Sequence, residues 1–369
     1  MSKRHVLQIS AYYPPHLGGQ EYAVQSLANQ LAQAGHTVDV ITSAEGGGTQ
    51  GTTAERNVKV HRLGGFVFGH APIMPHFLPT LFKRARPGSI VHLHIGQAFT
   101  PEMVWLASKL RRYRYIAQLH IDFEPSGAAG FLLPLYKRFV LKPVLRGASA
   151  VVVLNQKNAD MVRKFYGYKG PLRILPNGID NAYFGVTRAD LPKTPPDTLK
   201  LLYVGRLSKQ KNLPTLLHAI EGTNRKVQLD IIGDGEELPT IKKLIKTLKL
   251  KNVTLHGRLD RKDVLPFYES HDALIMPSLY EAQPLVLLEA MAARIPIIGT
   301  NVVGVAEHLQ NAAIIVEPTI NGLKDGIDQF FTQYQSLKSN VQQGYDAALR
   351  MDWPHTILRY QALYDEVAA

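Results

Sequence analysis

The feature that most constrains the fold is a repeated alternation of short β-branched runs with amphipathic stretches. Val6–Ser10 is predicted to form a strand, Gln20–Ala34 a helix and Val38–Thr42 the next strand. Such a βαβ unit implies a parallel sheet. Further strands are predicted at residues 58–63, 90–94, 115–119, 150–154 and 172–175. Residues 43–54, rich in Gly, Thr and Ala, are predicted to form an irregular loop.

The segment T-R-A-D-L-P-K-T-P-P-D-T at residues 187–198 is the predicted linker between two such series. Its prolines can continue neither a helix nor a central strand. After it, strands are predicted at 200–204, 227–232, 253–255, 273–276, 297–299 and 313–316, with helices at 213–220, 238–248 and 285–293.

The fold class is therefore α/β, with two doubly wound Rossmann-like domains facing across a cleft. We place them at residues 1–190 and 191–350, with a ligand at the carboxyl ends of their strands. Residues 351–369 form a last helix with an apolar stripe. The body of either domain could cover that stripe. We predict that the helix packs back on the N-terminal domain.

Charge is unevenly distributed along the chain. Residues 1–190 contain 22 Lys and Arg against 10 Asp and Glu, whereas residues 191–369 contain 20 of each, so the whole formal charge of +12 lies in the first half. This asymmetry indicates an anionic partner for one domain. From charge alone, nucleic acid, anionic lipid and a phosphorylated acceptor all stay open.

Cysteine is absent, which excludes a disulfide framework, a thiolate nucleophile and a Cys-ligated metal. No signal peptide is recognised, and no stretch of about 18 apolar residues is present. We expect a cytoplasmic protein, with a peripheral position at the inner membrane face as a further alternative.

The segment E-A-Q-P-L-V-L-L-E at residues 281–289 is the strongest local signal for a binding site. Glu281 lies on a predicted loop, and Glu289 lies inside the helix that follows. The helix amino end at Pro284–Val286 presents free backbone N–H groups, which suit a phosphate. Two solvated glutamates at a helix remain open as the alternative.

The segment G-R-L-S-K-Q-K-N-L at residues 205–213 follows a predicted strand directly. Arg206 and Lys211 are two cations at a strand end, and together they suit a diphosphate. Lys209 is expected to be solvated. Pro14–Gly19 after the first strand is a weaker signal, because Gly-Gly allows a ligand close to the backbone but is common in turns.

Histidines cluster at predicted strand ends in the first domain. His120 ends a strand in Q-L-H-I-D-F-E, while His92 and His94 share one strand face. A metal at the His pair would need further ligands, and neither H-E-x-x-H nor Asp-x-Asp occurs, with Asp122-Phe-Glu124 the nearest approach. No metal site and no cofactor are predicted, and a structural role for any one strand-end histidine stays open.

Over nearly its whole length the chain resembles the retaining glycosyltransferase family 4, also called glycosyl transferases group 1, which has the GT-B architecture. The motifs that carry this resemblance are P-P-H-L-G-G at 14–19, A-S-A-V-V-V-L-N at 148–155, L-P-N-G-I-D at 175–180, G-R-L at 205–207, I-G-D-G at 232–235, E-x7-E at 281–289 and E-A-M-A at 289–292.

The resemblance implies a role for each matching residue. Glu289 would hold the ribose hydroxyls of a nucleotide-sugar donor, and Glu281 would contact the transferred sugar. Arg206 and Lys211 would bind the diphosphate and assist its departure, while His120 would touch the sugar near the reacting carbon. The implied catalytic residues are His120, Arg206, Lys211 and Glu281. The implied donor-binding residues are Gly19, Arg206, Lys211, Gln283, Pro284, Leu285, Val286 and Glu289.

Some positions depart from the family pattern. Gln283 replaces a common aromatic residue or glycine, Val303-Gly304 replaces Gly-Gly, and Arg294 stands where glycine is frequent. We expect these positions near the sugar and phosphate pocket, where they bear on the identity of the donor.

The resemblance also implies that the basic N-terminal domain takes the acceptor. Arg138, Lys142 and Arg146 would form a basic stripe if residues 131–146 are helical, beside Phe131, Leu132, Leu135 and Phe139, with a kink at Pro143. Such a segment is typical of an interfacial helix, and an ordinary domain helix with a solvated basic face is the alternative. Lys109, Arg111, Arg112 and Arg114 form a second basic cluster.

Two function classes follow. The first is a metal-independent, hexosyltransferase-type retaining glycosyltransferase in glycan, glycolipid or glycoside biosynthesis. Ranked by how frequent each donor is in the family, its donor would be a UDP-sugar, with GDP-mannose the second choice. Its acceptor would be a hydroxyl group on a lipid-linked molecule, a saccharide or a small molecule. The alternative is a non-catalytic basic protein that binds a nucleotide or nucleic acid. The set of Arg206, Lys211, Glu281 and Glu289 favours the enzyme, and with it no nucleic-acid partner is expected.

Overall fold

The computed structural model describes residues 3–16, 18–69, 71–120, 133–186, 191–302, 309 and 311–368. The chain divides into two compact units. One contains Met1–Gly178 together with Trp353–Ala369, and the other contains Ile179–Asp352. Both are α/β units whose helices alternate with the strands of a mainly parallel sheet. The α/β fold class predicted from the sequence is confirmed.

The first unit is built on a sheet with strand order β10-β9-β8-β7-β1-β2-β4-β3. Its strands are β1 His5–Ile9, β2 Thr37–Ser43, β3 Gly51–Glu55, β4 Val58–Leu63, β7 Ile90–Ile95, β8 Tyr115–Leu119, β9 Ala150–Val153 and β10 Leu172–Ile174, with β5 Phe66–Phe68 and β6 Ala71–Ile73 as a separate hairpin. Its helices before the first boundary are α1 Gly19–Gln33, α2 Phe77–Arg84, α3 Thr100–Arg111, α4 Leu133–Tyr136, α5 Lys142–Gly147 and α6 Gln156–Lys164, with a π-helix at Lys137–Leu141. All pairs in the main sheet are parallel except β3 with β4.

The second unit is built on a parallel sheet with strand order β13-β12-β11-β14-β15-β16. Its strands are β11 Leu199–Val204, β12 Val227–Ile232, β13 Val253–Gly257, β14 Ala273–Met276, β15 Ile297–Thr300 and β16 Ile314–Val316. Its helices are α7 Asn181–Phe184, α8 Leu213–Gly222, α9 Leu238–Thr247, α10 Arg261–Ser270, α11 Leu285–Ala292, α12 Ile320–Thr332 and α13 Tyr334–Leu349, with a 3-10 turn at Lys209–Lys211.

The last helix, α14 Trp353–Ala368, belongs to the first unit. Ile357, Tyr360 and Tyr364 on its apolar stripe are buried in one cluster with Val24 and Leu27 of α1. Removing such side chains from water contributes roughly 1.5–3 kcal/mol each, which explains why the helix returns to this sheet. The predicted return to the N-terminal domain is confirmed.

The boundaries between the units differ from residues 190 and 350. Ile179 and Tyr183 are buried with Leu287 and Leu288 in a core of the second unit, and Ile179 pairs with Asp352 in an isolated bridge. Because this packing holds the chain after Gly178, the division falls there and again before Trp353. Residues 187–190 of the predicted linker lie outside the described residues.

Two local predictions from the sequence are wrong. The expected loop at 43–54 contains the start of β3, which pairs antiparallel with β4 at the sheet edge. The segment at 133–146 is not one α-helix, because its middle is the π-helix. A wider turn breaks the i, i+4, i+8 spacing on which the stripe of Arg138, Lys142 and Arg146 depended. Phe131 and Leu132 lie outside the described residues.

Candidate functional site

The second unit has a topological switch point at β11. The chain runs from β11 outward to β12 and β13, and then returns to the other side of β11 as β14. In open parallel sheets, ligands bind beside the carboxyl ends of the strands at such a point. Arg206 and Lys211 follow β11, and Glu281 follows β14, so sheet topology places all three at this edge.

Lys211 and Glu281 form the central ion pair of this edge. The Lys211 ammonium donates to Glu281 Oε1 over 2.5 Å, and Ser278 Oγ donates to the same oxygen over 2.7 Å. The two side chains are 19% and 7% exposed. Because little water surrounds these two charged groups, their electric field is only weakly screened. The structure thus brings together two residues singled out in the sequence, and it adds Ser278.

The loop that carries Arg206 rests on the I-G-D-G segment. The amide of Gly205 donates to the carbonyl of Ile232 over 3.0 Å, and that of Leu207 donates to Asp234 over 2.9 Å. Gly233 has a φ of +144°, and a Cβ there would collide with the carbonyl oxygen of Gly205. Glycine is therefore required at 233 for the two loops to approach each other.

Arg206 itself is 60% exposed, and its Nε lies 3.4 Å from a carboxylate oxygen of Glu236. An ion pair this open contributes little, so the guanidinium is free to turn toward a ligand. Its backbone is better fixed, since the Tyr203 hydroxyl donates to the Arg206 carbonyl over 3.0 Å. Lys209 is also exposed, on the 3-10 turn, as predicted.

Helix α11 begins directly after the Glu281 loop. Pro284 is its N-cap residue, and no side chain caps the helix. Leu285 and Val286 form the first turn and are half-buried, while Gln283 before them is buried. The amino end of α11 therefore offers backbone N–H groups and the positive end of the helix dipole.

Glu289 lies inside α11 and is buried beside two residues that sequence reasoning missed. Its Oε1 accepts a hydrogen bond from Arg261 Nη2, and its Oε2 accepts one from the Tyr268 hydroxyl over 3.3 Å. Arg261 also lies 5.7 Å from the ring centroid of Tyr183. No motif marks Arg261 or Tyr268, because only the packing of α10 against α11 brings them to Glu289.

In the first unit, Gly19 begins α1 after the loop that follows β1. A Cβ added at Gly19 would meet no atom within 4 Å, so the space beside it is open. No described atom in that space would block the approach of a ligand to the backbone, and the role of Gly19 stays a prediction. Leu17 of the same motif lies outside the described residues.

His120 follows β8 and ends a hydrogen-bonded chain that crosses three neighbouring strands. Gln8 Oε1 of β1 contacts His94 Nε2 of β7, and His94 Nδ1 lies 2.9 Å from His120 Nε2. Because an amide oxygen only accepts, His94 donates at Nε2 and accepts at Nδ1 from His120. Burial lowers the pKa of His120 to about 3. His120 is thus a neutral imidazole whose Nδ1 carries no proton.

His92 and His94 do not form a metal centre with other described residues. His92 Nδ1 instead lies 2.8 Å from the Tyr364 hydroxyl of α14, and the two imidazole rings stack with centroids 4.3 Å apart. Within the described ranges, no group of three or more His, Asp or Glu residues is arranged to hold a metal ion. Asp122 and Glu124 fall outside those ranges.

Arg294 is not part of the loop that precedes α11. It follows the opposite, carboxyl end of that helix, where it has a φ of +55°. Its guanidinium lies 3.8 Å from the ring centroid of Tyr345. The left-handed backbone explains why glycine suits this position, and the stacking explains how arginine is accommodated. Val303 and Gly304 lie outside the described residues.

Two family models match successive parts of the chain. The model described as Glycosyltransferase Family 4 matches residues 17–183, and the model described as Glycosyl transferases group 1 matches residues 189–347. Together they span both units, which agrees with the distribution of the motifs along the sequence.

Curated relatives are glycosyltransferases of distinct kinds. The chain is 27% identical over 335 residues to a glycogen synthase of Mycobacterium tuberculosis, which covers 83% of this chain and 80% of the relative. It is 26% identical to the putative teichuronic acid biosynthesis glycosyltransferase TuaC of Bacillus subtilis, over 64% of this chain and 59% of that protein. The GPI3 subunit of phosphatidylinositol N-acetylglucosaminyltransferase from Saccharomyces cerevisiae is 21% identical, over 99% of this chain and 83% of its own length.

Solved structures share the fold. Sucrose-phosphate synthase from Thermosynechococcus elongatus superposes with a TM-score of 0.79 at 21% identity and covers 99% of both chains. HepE from Anabaena, in complex with UDP-glucose, gives a TM-score of 0.76 at 16% identity, over 98% of this chain and 99% of that one. The likeness shows the GT-B fold. With both family models matched in order along the two units, the chain belongs to glycosyltransferase family 4, the glycosyl transferases group 1.

Proposed function

We propose that the protein is a retaining glycosyltransferase that moves a sugar from a nucleotide-sugar donor to a hydroxyl acceptor without a metal ion. The observation that carries this proposal is the convergence of Lys211, Glu281 and the uncapped amino end of α11 at the switch point of the second unit. A sheltered cation and free backbone N–H groups are what a diphosphate leaving group requires.

Each half of the donor then has its own residues. The diphosphate would bind Lys211, Arg206 and the amino end of α11, with Lys211 exchanging part of its contact with Glu281 for the phosphate oxygens. Glu289 would accept hydrogen bonds from the ribose hydroxyls, because a carboxylate has about four acceptor positions and can keep its bond from Arg261 as well.

The transferred sugar would meet Glu281 and His120. An unprotonated His120 Nδ1 can accept a hydrogen bond from a sugar hydroxyl, and its low pKa keeps the ring neutral through the physiological range. In the retaining reaction, the acceptor oxygen bonds to the anomeric carbon on the face from which the diphosphate leaves. The acceptor proton passes to the departing phosphate oxygen.

A UDP-sugar is the favoured donor, with GDP-mannose next. HepE, which shares the fold, has been solved with UDP, with UDP and glucose and with UDP-glucose. The non-catalytic alternative is not favoured, because the curated relatives are transferases and a simple binder needs no paired Lys211 and Glu281. The acceptor class proposed is a lipid-linked, saccharide or small-molecule hydroxyl.

We expect release of a nucleoside diphosphate from one member of a panel of sugar nucleotides, and we expect it to continue in excess EDTA. Lys211, Arg206 and the amino end of α11 together supply the positive charge for which other transferases use Mg²⁺ or Mn²⁺. Thermal-shift screening selects the donor, and coupled detection of the nucleoside diphosphate measures turnover. Loss of turnover in EDTA that Mg²⁺ or Mn²⁺ restores would contradict the metal-independent reaction.

We also propose that the first unit contacts anionic membrane through an apolar and basic face. Leu110, Leu135 and Phe139 are 63%, 53% and 65% exposed on α3, α4 and the π-helix, and Arg138 is exposed beside Phe139. Exposed apolar side chains next to cations suit a bilayer interface. Within the described residues, no helix is long and apolar enough to cross a membrane. Arg146 is left out of this face, because its Nε donates to the Tyr166 carbonyl over 2.9 Å.

Charge reversal at this face should weaken vesicle binding. Lys142 is a half-buried cation directly after the π-helix that carries Arg138. Each basic residue near an anionic bilayer contributes about 1 kcal/mol, so Arg138→Glu with Lys142→Glu should weaken binding at low salt. Co-sedimentation with phosphatidylcholine–phosphatidylglycerol vesicles at low and high salt measures this. Lys242→Glu with Lys243→Glu on exposed positions of α9 is the matched control. Equal sedimentation of both double variants would contradict the assigned face.

A further inference from the structure

The amino ends of three neighbouring strands in the first unit surround an arginine-lined cavity. The cavity has a volume of about 580 Å³ and lies at the ends of β1, β7 and β8 opposite to the edge where Gly19 and His120 follow their strands. Five of its lining residues are arginines, namely Arg4, Arg86, Arg111, Arg112 and Arg114. We call this cavity the arginine pocket.

Parallel pairing explains why arginines distant in sequence converge there. Arg4 directly precedes β1, Arg114 directly precedes β8, and Arg86 lies in the turn before β7. These three strands are neighbours and run in the same direction, so their amino ends meet at one edge. Arg111 and Arg112 join them because α3 ends at the same edge.

Within the described residues, carboxylates neutralise little of this charge. Arg4 donates from Nε and Nη2 to Asp365 Oδ1 over 2.9 and 2.6 Å. Arg114 donates to a backbone carbonyl, that of Val367, over 2.9 Å. Arg111 lies 4.9 Å from the ring centroid of Phe82. Arg86 and Arg112 are exposed and form no ion pair with any described residue.

Helix ends do not balance the remaining charge. Helices α2, α3 and α14 all end at the pocket, and each carboxyl end carries about −0.5 of an elementary charge. The three ends and Asp365 together therefore offset about half of the five positive charges. Counting the described groups alone, a simple helix-capping role leaves an excess of roughly two to three positive charges on a concave surface.

We propose that the arginine pocket binds a small phosphate-bearing anion with at least two negative charges, either a free phosphorylated compound or a lipid headgroup. Guanidinium groups match phosphate oxygens with paired, planar hydrogen bonds. A volume of about 580 Å³ is the size of a small-molecule site, whereas a nucleic acid requires an extended basic groove. The site lies outside the donor residues, so it goes beyond the proposed transferase reaction.

The backbone conformation at Arg112 allows a substitution that removes the side chain without straining the backbone. Arg112 has a φ of +54°, so Arg112→Gly removes the guanidinium and places glycine in a conformation it favours. Arg56→Gly is the matched control, because Arg56 is exposed in the turn between β3 and β4 with a φ of +48° and lies outside the pocket. Arg112→Gly combined with Arg86→Ala removes two of the unpaired cations.

The test uses the full chain with tripolyphosphate as the soluble probe and phosphatidylcholine vesicles containing phosphatidic acid as the lipid probe. Tripolyphosphate bound at the proposed diphosphate site is common to all three proteins. In calorimetry at physiological ionic strength, the further site that the wild type and Arg56→Gly share should be lost in the double variant or bind tripolyphosphate at least tenfold more weakly. Loss of vesicle binding alone would also support the pocket and would identify a headgroup as the anion. Thermal unfolding checks that the variants fold, with Arg112→Gly alone as the fallback.

Equal affinity of all three proteins for both probes would overturn the proposal. A variant that lost only the binding of a single-stranded oligonucleotide would overturn it as well, because the partner would then be a nucleic acid. Neither variant touches Lys211, Glu281 or Glu289, so a failure of the transferase proposal would appear as absent donor turnover in every protein and would leave this comparison intact.

Discussion

Replacing Lys211 by alanine should lower the turnover number by roughly 10²-fold or more. That factor corresponds to about 2.7 kcal/mol of lost transition-state stabilisation, which is typical for removal of a charge partner from a developing anion. Lys211 is 19% exposed, so its charge acts with little screening on a leaving diphosphate. Arg206→Ala should lose turnover to a similar extent, because its open guanidinium can follow the departing phosphate. Steady-state rates with the selected donor measure both.

The neighbouring lysine gives the matched control for this experiment. Lys209 lies on the same 3-10 turn but is exposed, so Lys209→Ala should keep nearly full turnover. Lys211→Ala also leaves Glu281 sheltered without its cation, which destabilises a folded protein. Thermal unfolding of each variant separates that cost from catalysis. Turnover of folded Lys211→Ala and Arg206→Ala close to the wild type would refute the diphosphate assignment.

Glu289→Gln should weaken binding of the free nucleoside diphosphate by at least tenfold, whereas Glu281→Gln should leave it nearly unchanged. Glu289 is buried against Arg261 and Tyr268, in a position fixed enough to hold ribose hydroxyls. A hydrogen bond to a charged group contributes about 1.5–3 kcal/mol, and the amide removes that charge. Glu281 should instead support transfer, so its variant should lose turnover while binding persists. Calorimetry with the nucleoside diphosphate measures the first effect.

Glu221→Gln, at an exposed position of α8, controls for the loss of one carboxylate in the same unit. Glu281→Gln frees Lys211 from its ion partner, and a modest gain in affinity for the diphosphate would fit the exchange proposed above. Equal losses of affinity in the Glu281 and Glu289 variants would show that the two carboxylates do not divide the donor between them.

Much of the fold follows from periodicity. β4, β8, β12 and β14 begin and end at the predicted residues, and most other strands of the two main sheets end within a residue or two of the prediction. The reason is that buried parallel strands are continuous apolar runs between turn residues. The edge strand β3 escaped prediction, since its residues are exposed and its stability comes from pairing with β4. The sequence does not predict the π-helix either, because a single wider turn does not alter the spacing of apolar residues in a recognisable way.

For a related reason, the sequence predicts only some of the residues of the candidate site. Lys211 and Glu281 stand out in the sequence because each follows a strand, and parallel topology brings the ends of neighbouring strands together. Arg261, Tyr268 and Ser278 carry no such signal, since their contacts depend on how helices and loops pack. The sequence marks His94 only as a residue that shares a strand face with His92. Its link between Gln8 and His120 exists only once β1, β7 and β8 are neighbours in the sheet.

The sequence by itself determined the two α/β units, the family and the charged residues that follow β11 and β14, because hydrophobic period and chain direction dictate where strand ends fall. Only the tertiary structure decided which charges meet. It pairs Lys211 with Glu281 and Arg261 with Glu289, but among the described residues it leaves several arginines at the amino ends of β1, β7 and β8 without a carboxylate. Ion pairing depends on distances of a few ångströms between segments far apart in the chain, and such distances are set by packing rather than by any local pattern of residues.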